Sequence, residues 1–214
     1  MSAASSPPAR QTYRHGDLRR ALLEAGIALA RAGGPAAVTL REATRRVGVA
    51  PNAAYRHFAN QQDLLLGVRA HALSGVARAM EAALATLPPG LLPADHARAS
   101  VRAVGTGYLR YAKAEPGLFR TAFALSDKLI QATPEWPTAG DSGRNPHELL
   151  CDALDLLVQA GAMPAARRPG AEVLAWSAVH GLAMLVIDGP LATPVGPHYE
   201  MFGQRLLTMV EQGL

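Results

Sequence analysis

The sequence predicts an all-α protein with an amino-terminal three-helix helix-turn-helix domain and a larger carboxy-terminal helical domain. The chain is Ala- and Leu-rich, with 49% hydrophobic and 5% aromatic residues. Apolar residues recur at helical spacing, and no alternating β-branched stretch is long enough for a strand. Pro and Gly residues separate the periodic segments. At 214 residues, the chain is long enough to bury a substantial core.

The amino terminus is expected to begin with a disordered arm over residues 1–15, because this stretch is rich in Ser, Ala and Pro. It lacks the apolar core of a signal peptide. Asp17 is predicted to cap a first helix that ends near Ala32. The helix-turn-helix domain is predicted over 16–66 and the carboxy-terminal domain over 67–214.

Residues 39–58, TLREATRRVGVAPNAAYRHF, are predicted to form two short helices joined by a tight turn. Thr39 is positioned to cap the first helix, and Glu42 is expected to complete a capping box. Gly48 ends this helix, because glycine adopts the left-handed conformation without steric cost. Two helices joined in this way form a helix-turn-helix, whose second helix enters the DNA major groove.

The second helix of this hairpin is predicted to run from Pro51 to Phe58. Ala54 and Phe58 share one face, which is expected to pack inward. The opposite face is polar, and its side chains suit hydrogen bonds to base edges and phosphates. These polar residues are Asn52, Tyr55, Arg56 and His57. The alternative interpretation is a plain amphipathic hairpin with a solvated polar face.

Positive charge is concentrated at the amino-terminal end. Residues 1–75 carry a net charge of +6 and the remaining residues −2, against +4 for the whole chain. A localised basic region is typical of phosphate binding. The charge distribution therefore supports nucleic-acid binding by the helix-turn-helix.

The remainder of the chain is predicted to be helical. Asn60 is expected to cap a helix over 61–87, and Pro residues stand near several later helix starts. Pro and Gly are scattered through 126–145, which is predicted to be a loop beside a pocket. No run of about 20 apolar residues indicates a membrane span. The later helices are predicted at 94–114, 116–125, 146–161, 169–188 and 196–212.

No enzymatic, cofactor or metal-binding motif is evident. There is no P-loop, no G-x-G-x-x-G after a strand, no H-E-x-x-H and no G-x-S-x-G, and the His residues lack ligand spacing. Cys151 is the single cysteine. It predicts a reducing, cytoplasmic compartment and is expected to be a buried structural thiol. The alternative function is an all-helical small-ligand-binding or enzymatic protein with an incidental helix-turn-helix, whose ligand affinity would hardly depend on salt.

The run VTLREATRRVGVAPNAAYRHFANQQDLL resembles the DNA-binding signature of TetR-family transcriptional regulators. The resemblance implies a double-stranded DNA operator as partner, with phosphate contacts from Thr39, Tyr55 and His57. Ala50, Ala54 and Gln61 depart from the residues usual in the family, although backbone N–H groups near Gln61 still suit a phosphate. The predicted DNA-binding residues are Thr39, Arg41, Arg45, Pro51, Asn52, Ala53, Tyr55, Arg56, His57 and Gln61.

The carboxy-terminal half resembles a TetR subgroup named for its Trp, His and Gly, through the pattern W-x-x-x-H-G-L from Trp176 to Leu182. The resemblance implies a ligand-binding and dimerisation domain that takes a small-molecule effector. Trp176, His180 and Met184 share one helix face, which suits either a pocket wall or ordinary core with the His bonded to a backbone carbonyl. The predicted ligand-binding residues are Phe119, Phe123, Trp136, Trp176, His180 and Met184.

The last two predicted helices are apolar on more than one face, which favours a homodimer. Leu174, Ala178, Leu182 and Leu185 form a second apolar stripe on one of them. The combined prediction is a ligand-responsive transcriptional regulator, most often a repressor in this family. Effector binding is expected to release it from a palindromic operator, with the helix over 61–87 transmitting the change.

Overall fold

The computed structural model describes residues 15–124 and 137–213, and every regular element within them is helical. The predicted all-α fold is thereby confirmed. Short 3₁₀ turns lie at Pro35–Ala37, Ala165–Arg167 and Gly196–His198. The α-helices are α1 His15–Gly33, α2 Leu40–Val47, α3 Pro51–Ala54, α4 Gln61–Leu84, α5 Pro93–Ala114, α6 Pro116–Ala122, α7 Pro146–Gln159, α8 Ala171–Ile187, α9 Ala192–Val195 and α10 Tyr199–Gly213.

The ends of several helices differ from the prediction, and those of α1 and α3 bear on the DNA-binding domain. Helix α1 begins at His15, so Asp17 lies inside its first turn and is not the cap, while the rest of the predicted arm lies outside the described residues. Helix α3 ends at Ala54 instead of Phe58. The N–H groups of His57 and Phe58 both donate to the Ala54 carbonyl at 2.9 Å, which tightens the chain into a turn.

Helix capping follows the sequence only in part. The Thr39 hydroxyl accepts the Glu42 N–H at 3.2 Å, and the Asn60 side chain accepts the Asp63 N–H at 2.9 Å, as predicted. The predicted capping box at α2 is wrong, because the Glu42 carboxylate is hydrogen-bonded to Arg45 instead. A reciprocal capping box that was not predicted starts α7, where Asn145 and Glu148 exchange bonds of 2.8 and 3.0 Å.

The amino-terminal core is formed by α1 to α4 together with α6. Ala54 and Phe58 are fully buried in it, as predicted. Leu118 and Ala122 of α6 are also buried in this cluster. The helix-turn-helix core is therefore completed by a helix that lies more than 50 residues further along the chain.

The carboxy-terminal core surrounds α5, which packs against α4, α7, α8 and α10. Gly107 lets α4 and α5 approach closely, because a Cβ at this position would lie 2.5 Å from the Met80 Cα. Among the described residues, no single helix has the length and apolarity needed to cross a membrane. Only one pair of consecutive helical segments, Ala171–Ile187 and Ala192–Gly213, is long and apolar enough when taken together, and this pair is bent by 102°.

Part of the predicted 126–145 loop is anchored to α4. The Glu81 carboxylate accepts hydrogen bonds from the Asp141 N–H at 2.9 Å and the Ser142 N–H at 3.0 Å. The Ser142 hydroxyl donates a further bond to the same carboxylate. Residues 125–136 lie outside the described residues.

The prediction of a buried Cys151 is wrong, because this thiol is partly exposed. The buried residues of α7 are Leu149, Ala153, Leu154 and Leu157, and Cys151 lies on a different face of the helix. Its sulfur lies 3.7 Å from the His147 Nε2, one turn earlier on α7.

Candidate DNA-binding surface and ligand cavity

The turn between α2 and α3 depends on two residues that the sequence identified. Gly48 has a φ of 76°, in the left-handed region, and its N–H bonds to the carbonyls of Thr44 and Arg45. Pro51 begins α3, where its fixed φ is favourable and a missing N–H costs nothing. Glycine and proline at these positions set the path of the chain from α2 into α3.

The ten predicted DNA-binding residues are accessible to solvent. Thr39, Ala53 and His57 are partly exposed, and the other seven are exposed. A shallow groove brings four of them together, along the edge of α2 and the start of α3. These four are Thr39, Arg41, Arg45 and Pro51. Their roles in DNA binding stay predictions.

An acidic side chain lies within this basic surface. The Glu42 carboxylate accepts bonds from Arg45 Nε at 2.8 Å and Arg45 Nη2 at 2.7 Å, and lies 3.5 Å from Arg46 Nε. The hydrogen bond from Arg45 lowers the pKa of Glu42 to about 2, so the carboxylate is ionised at neutral pH. Glu42 therefore offsets part of the positive charge of Arg45 on this surface. Sequence reasoning missed this, because it assigned Glu42 to the capping box.

Glu42→Gln is expected to raise DNA affinity by about three- to tenfold at low salt, because Arg45 and Arg46 then meet phosphate without competition. The slope of log affinity against log salt should steepen by about 1 for each arginine that gains a phosphate. The Thr39 cap should survive, since it uses the Glu42 backbone N–H. Fluorescence anisotropy with specific and scrambled duplexes across a salt series measures both quantities.

Glu200→Gln is the matched control. Glu200 lies 3.5 Å from Lys113, away from the helix-turn-helix, and the substitution changes the net charge equally. An equal rise in affinity for both variants would mean that only net charge matters, which would contradict a local role for Glu42.

A cavity of about 450 Å³ lies within the carboxy-terminal half, between α4, α5, α7, α8 and α10. Its volume falls in the range of small-molecule sites. Most of its wall is aliphatic, and the aliphatic residues include Leu73, Met80, Val101, Val104, Leu150, Ala175, Val179, Leu207 and Val210. The polar and aromatic wall residues include Arg69, Tyr108, Phe123, Asn145, His147, Glu172 and Trp176.

Tyr108 links two of the predicted ligand-binding residues. Its hydroxyl accepts the Trp176 Nε1–H at 3.0 Å and lies 2.8 Å from His180 Nδ1. Burial raises the pKa of Tyr108 and lowers the pKa of His180, so both groups are uncharged at neutral pH. The Tyr108 hydroxyl and His180 Nδ1 therefore share a hydrogen bond between two neutral groups. Sequence reasoning missed Tyr108, whose only signal is its helical spacing from Val101 and Val104.

Of the six predicted ligand-binding residues, Phe123 and Trp176 line the cavity. Phe119 is fully buried behind the wall, with its ring 5.2 Å from Tyr108 and 5.1 Å from Phe123. The sequence-based alternative for His180 was a bond to a backbone carbonyl, but its partner is the Tyr108 hydroxyl.

Phe119, His180 and Met184 do not line this cavity, and their role in ligand binding stays a prediction. His180 lies behind the wall, with its ring 4.9 Å from that of Phe123. Met184, two helical turns beyond Trp176, is partly buried against the carboxy-terminal core. Trp136 lies outside the described residues.

Helix α6 joins the cavity to the amino-terminal core. Phe123, at its carboxyl end, lines the cavity, whereas Gly117 packs directly on the backbone at the end of α1. Ion pairs hold both ends of α6: Arg31 Nε lies 2.8 Å from Glu115, and Arg120 Nη1 lies 2.9 Å from Asp188. Displacement of the cavity wall at α6 would therefore reach α1 directly.

The outer faces of α8 and α10 are apolar and exposed. Leu174 is 68% exposed and Met209 is 61% exposed. Of the large hydrophobic residues that are exposed in the described part of the chain, all but Tyr55 and Leu92 lie on these two helices. We call this surface the α8–α10 face; it comprises Val173, Leu174, Trp176, Leu185, Met201 and Met209.

Two family profiles match the chain. "Bacterial regulatory proteins, tetR family" matches residues 22–68. "Tetracyclin repressor-like, C-terminal domain" matches residues 101–210, slightly more than half of the chain. Comparison with curated proteins finds no significant match.

Several solved structures share the fold along nearly the whole chain. A protein of unknown function from Rhodococcus sp. RHA1 is 23% identical with a TM-score of 0.68, over 93% of this chain and 98% of that one. The TetR family transcriptional regulator PfmR from Thermus thermophilus is 20% identical with a TM-score of 0.59, over 90% and 98%. A tetR-family regulatory protein from Rhodococcus RHA1 is 17% identical with a TM-score of 0.55, over 90% and 96%.

Proposed function

We propose, from the premise that this chain belongs to the TetR family and is a DNA-binding transcriptional regulator, that it is a homodimeric repressor released by a small molecule. One observation carries the effector-dependent part of this proposal. Helix α4 contributes Leu64 and Val68 to the helix-turn-helix core and Leu73 and Met80 to the cavity wall. A ligand in the cavity thus contacts the same helix that supports the reading hairpin.

The proposed DNA interface is the exposed surface of α2, α3 and the start of α4. Asn52 and Arg56 are exposed and carry the side chains that suit adenine and guanine edges. Tyr55 and His57 are assigned to phosphates on the flanks. The basic amino-terminal end supports this assignment, since its charge favours the DNA backbone.

The proposed dimer interface is the α8–α10 face. An exposed apolar surface of this kind is typical of protein–protein contacts. A two-fold dimer would present two α2–α3 hairpins to a palindromic operator, with half-sites about one helical turn apart.

The proposed mechanism is a population shift. Effector binding would favour an arrangement of α4 and α6 in which the two hairpins no longer match the operator spacing. Two contacts support α6 as a second route of transmission: the wall residue Phe123 and the packing of Gly117 on α1. The sequence alone pointed only to α4.

Selection of duplexes from a randomised pool, followed by binding across a salt series, tests the proposed function. The expected result is a palindromic consensus bound by two subunits, with affinity that falls steeply as salt rises. Failure to enrich any sequence would refute specific operator binding. Enrichment of a single half-site would refute the dimeric arrangement.

Arg41→Ala is expected to weaken operator binding by about 1–3 kcal/mol. Tyr55→Phe, which removes one neutral hydrogen-bond donor, should cost about 1 kcal/mol. Both side chains are exposed, so the fold and dimer should be unaffected. Arg110→Ala is the matched control, since Arg110 is an exposed arginine on α5. Operator affinity of a variant equal to that of the parent would remove its residue from the proposed interface.

A further inference from the structure

We infer that the cavity selects an uncharged, mainly apolar ligand and discriminates against both carboxylates and organic cations. This inference rests on the proposed function, because it names the class of effector for that cavity. Its basis is the way the polar groups of the wall are already bonded within the protein.

The charged wall groups are engaged by protein partners. The Glu172 carboxylate lies 2.7 Å from Arg168 Nη1, and the Nε of the same arginine lies 2.6 Å from Asp155. Hydrogen bonding to its own backbone N–H and to Arg168 lowers the pKa of Glu172, so it is ionised and paired. Arg69, the cation of the wall, also has an interaction within the protein.

The aromatic part of the wall is uncharged and internally bonded. The Trp176 Nε1–H donates to the Tyr108 hydroxyl, and this hydroxyl shares a second hydrogen bond with His180 Nδ1. Among the described wall residues, this aromatic group therefore leaves a ligand mainly ring faces and aliphatic side chains. Tyr108 is only 2% exposed, so its bonds are shielded from water.

These two features determine which ligands bind well. A buried charge is costly unless it gains a partner. A cationic ligand would have to compete with the Arg168–Glu172 ion pair, and a carboxylate with the interaction that Arg69 already makes within the protein. An uncharged apolar ligand incurs no such cost and gains contact with the aliphatic wall. Among the described wall residues, Arg69 and Glu172 carry opposite charges, so their net charge favours neither sign of ligand.

Displacement of a neutral fluorescent reporter, N-phenylnaphthylamine, tests this selectivity on the full chain without DNA. The competitors are decanol, decanoate and decyltrimethylammonium, which share an alkyl chain and differ in charge. Decanol is used below its solubility limit, and the two charged competitors below their critical micelle concentrations. Decanol is expected to displace the reporter at a concentration about tenfold lower or more than either charged competitor. Equal or better displacement by decanoate or decyltrimethylammonium would overturn the inference.

Two tryptophan variants locate the binding site. Leu150→Trp places a large side chain in the cavity wall and should abolish reporter binding. Gln159→Trp, at an exposed position near the end of the same helix, should leave it unchanged. Reporter binding that survives Leu150→Trp, or no reporter binding at all, would overturn the inference. The assay contains no DNA, so its result does not depend on operator binding. Failure of the proposed function would appear in the DNA-binding experiments instead.

Discussion

Leu174→Glu is expected to produce a monomer and to weaken operator binding by about 100-fold or more, because two linked half-site contacts become one. Leu174 lies on α8 next to the exposed Val173, and 68% of it is accessible. A carboxylate placed in an apolar interface loses its hydration without gaining a partner. Sedimentation velocity measures the subunit state, and anisotropy with the operator duplex measures affinity.

Leu92→Glu is the matched control for this substitution. Leu92 is 70% exposed, but it precedes α5 and lies outside the α8–α10 face. It should leave both the dimer and operator affinity unchanged. A Leu174→Glu protein that remains dimeric would refute the assignment of this face as the interface.

Gly117→Ala is expected to destabilise the protein by about 1–3 kcal/mol or more, because the added methyl group collides with backbone atoms that cannot rotate away. A Cβ at this position would lie 2.5 Å from the Arg31 carbonyl oxygen and closer still to that of Ala30. Helix α6 would have to move away from α1. Urea unfolding measures the loss, and hydrogen exchange of the α1 amides should show where protection falls.

Gly181→Ala is the control, because the same substitution at this position should stabilise the protein instead of destabilising it. Gly181 lies within α8, and a Cβ would meet no atom within 4 Å in the described chain. Alanine in a helix interior is favoured over glycine by about 1 kcal/mol. Both variants are best compared in the Leu174→Glu background, so that dimer packing does not contribute. A stable Gly117→Ala protein with protected α1 amides would contradict tight docking of α6.

The hairpin could be predicted from sequence because its determinants are local. Gly48, Pro51 and the Asn60 cap act within a few residues of their own positions. The same reasoning failed where two local interactions compete. Glu42 has the spacing of a capping box, but Arg45, one turn later, offers it a charged partner. At α7 the Asn145–Glu148 pair forms the box.

The cavity could not be predicted in the same way, because its wall comes from helices far apart in the chain. Trp176 and Phe123 were both among the predicted ligand-binding residues, and both lie at the wall. Helical periodicity alone does not distinguish a wall residue from the layer behind it, which is where Phe119 and His180 lie. Tyr108, whose hydroxyl is bonded to both Trp176 and His180, lies 68 residues from Trp176 in the chain.

The burial of Leu118 and Ala122 in the amino-terminal core has a consequence for the exchange of parts between relatives. A chimera that joins the reading hairpin of this protein to the effector domain of another would cut through a shared core. Helices α1 to α4 must therefore be transferred together with a matching α6, although α5 separates α6 from them in the sequence. New pairings of operator and effector should succeed only where the α6 surface is carried over with the DNA-binding segment.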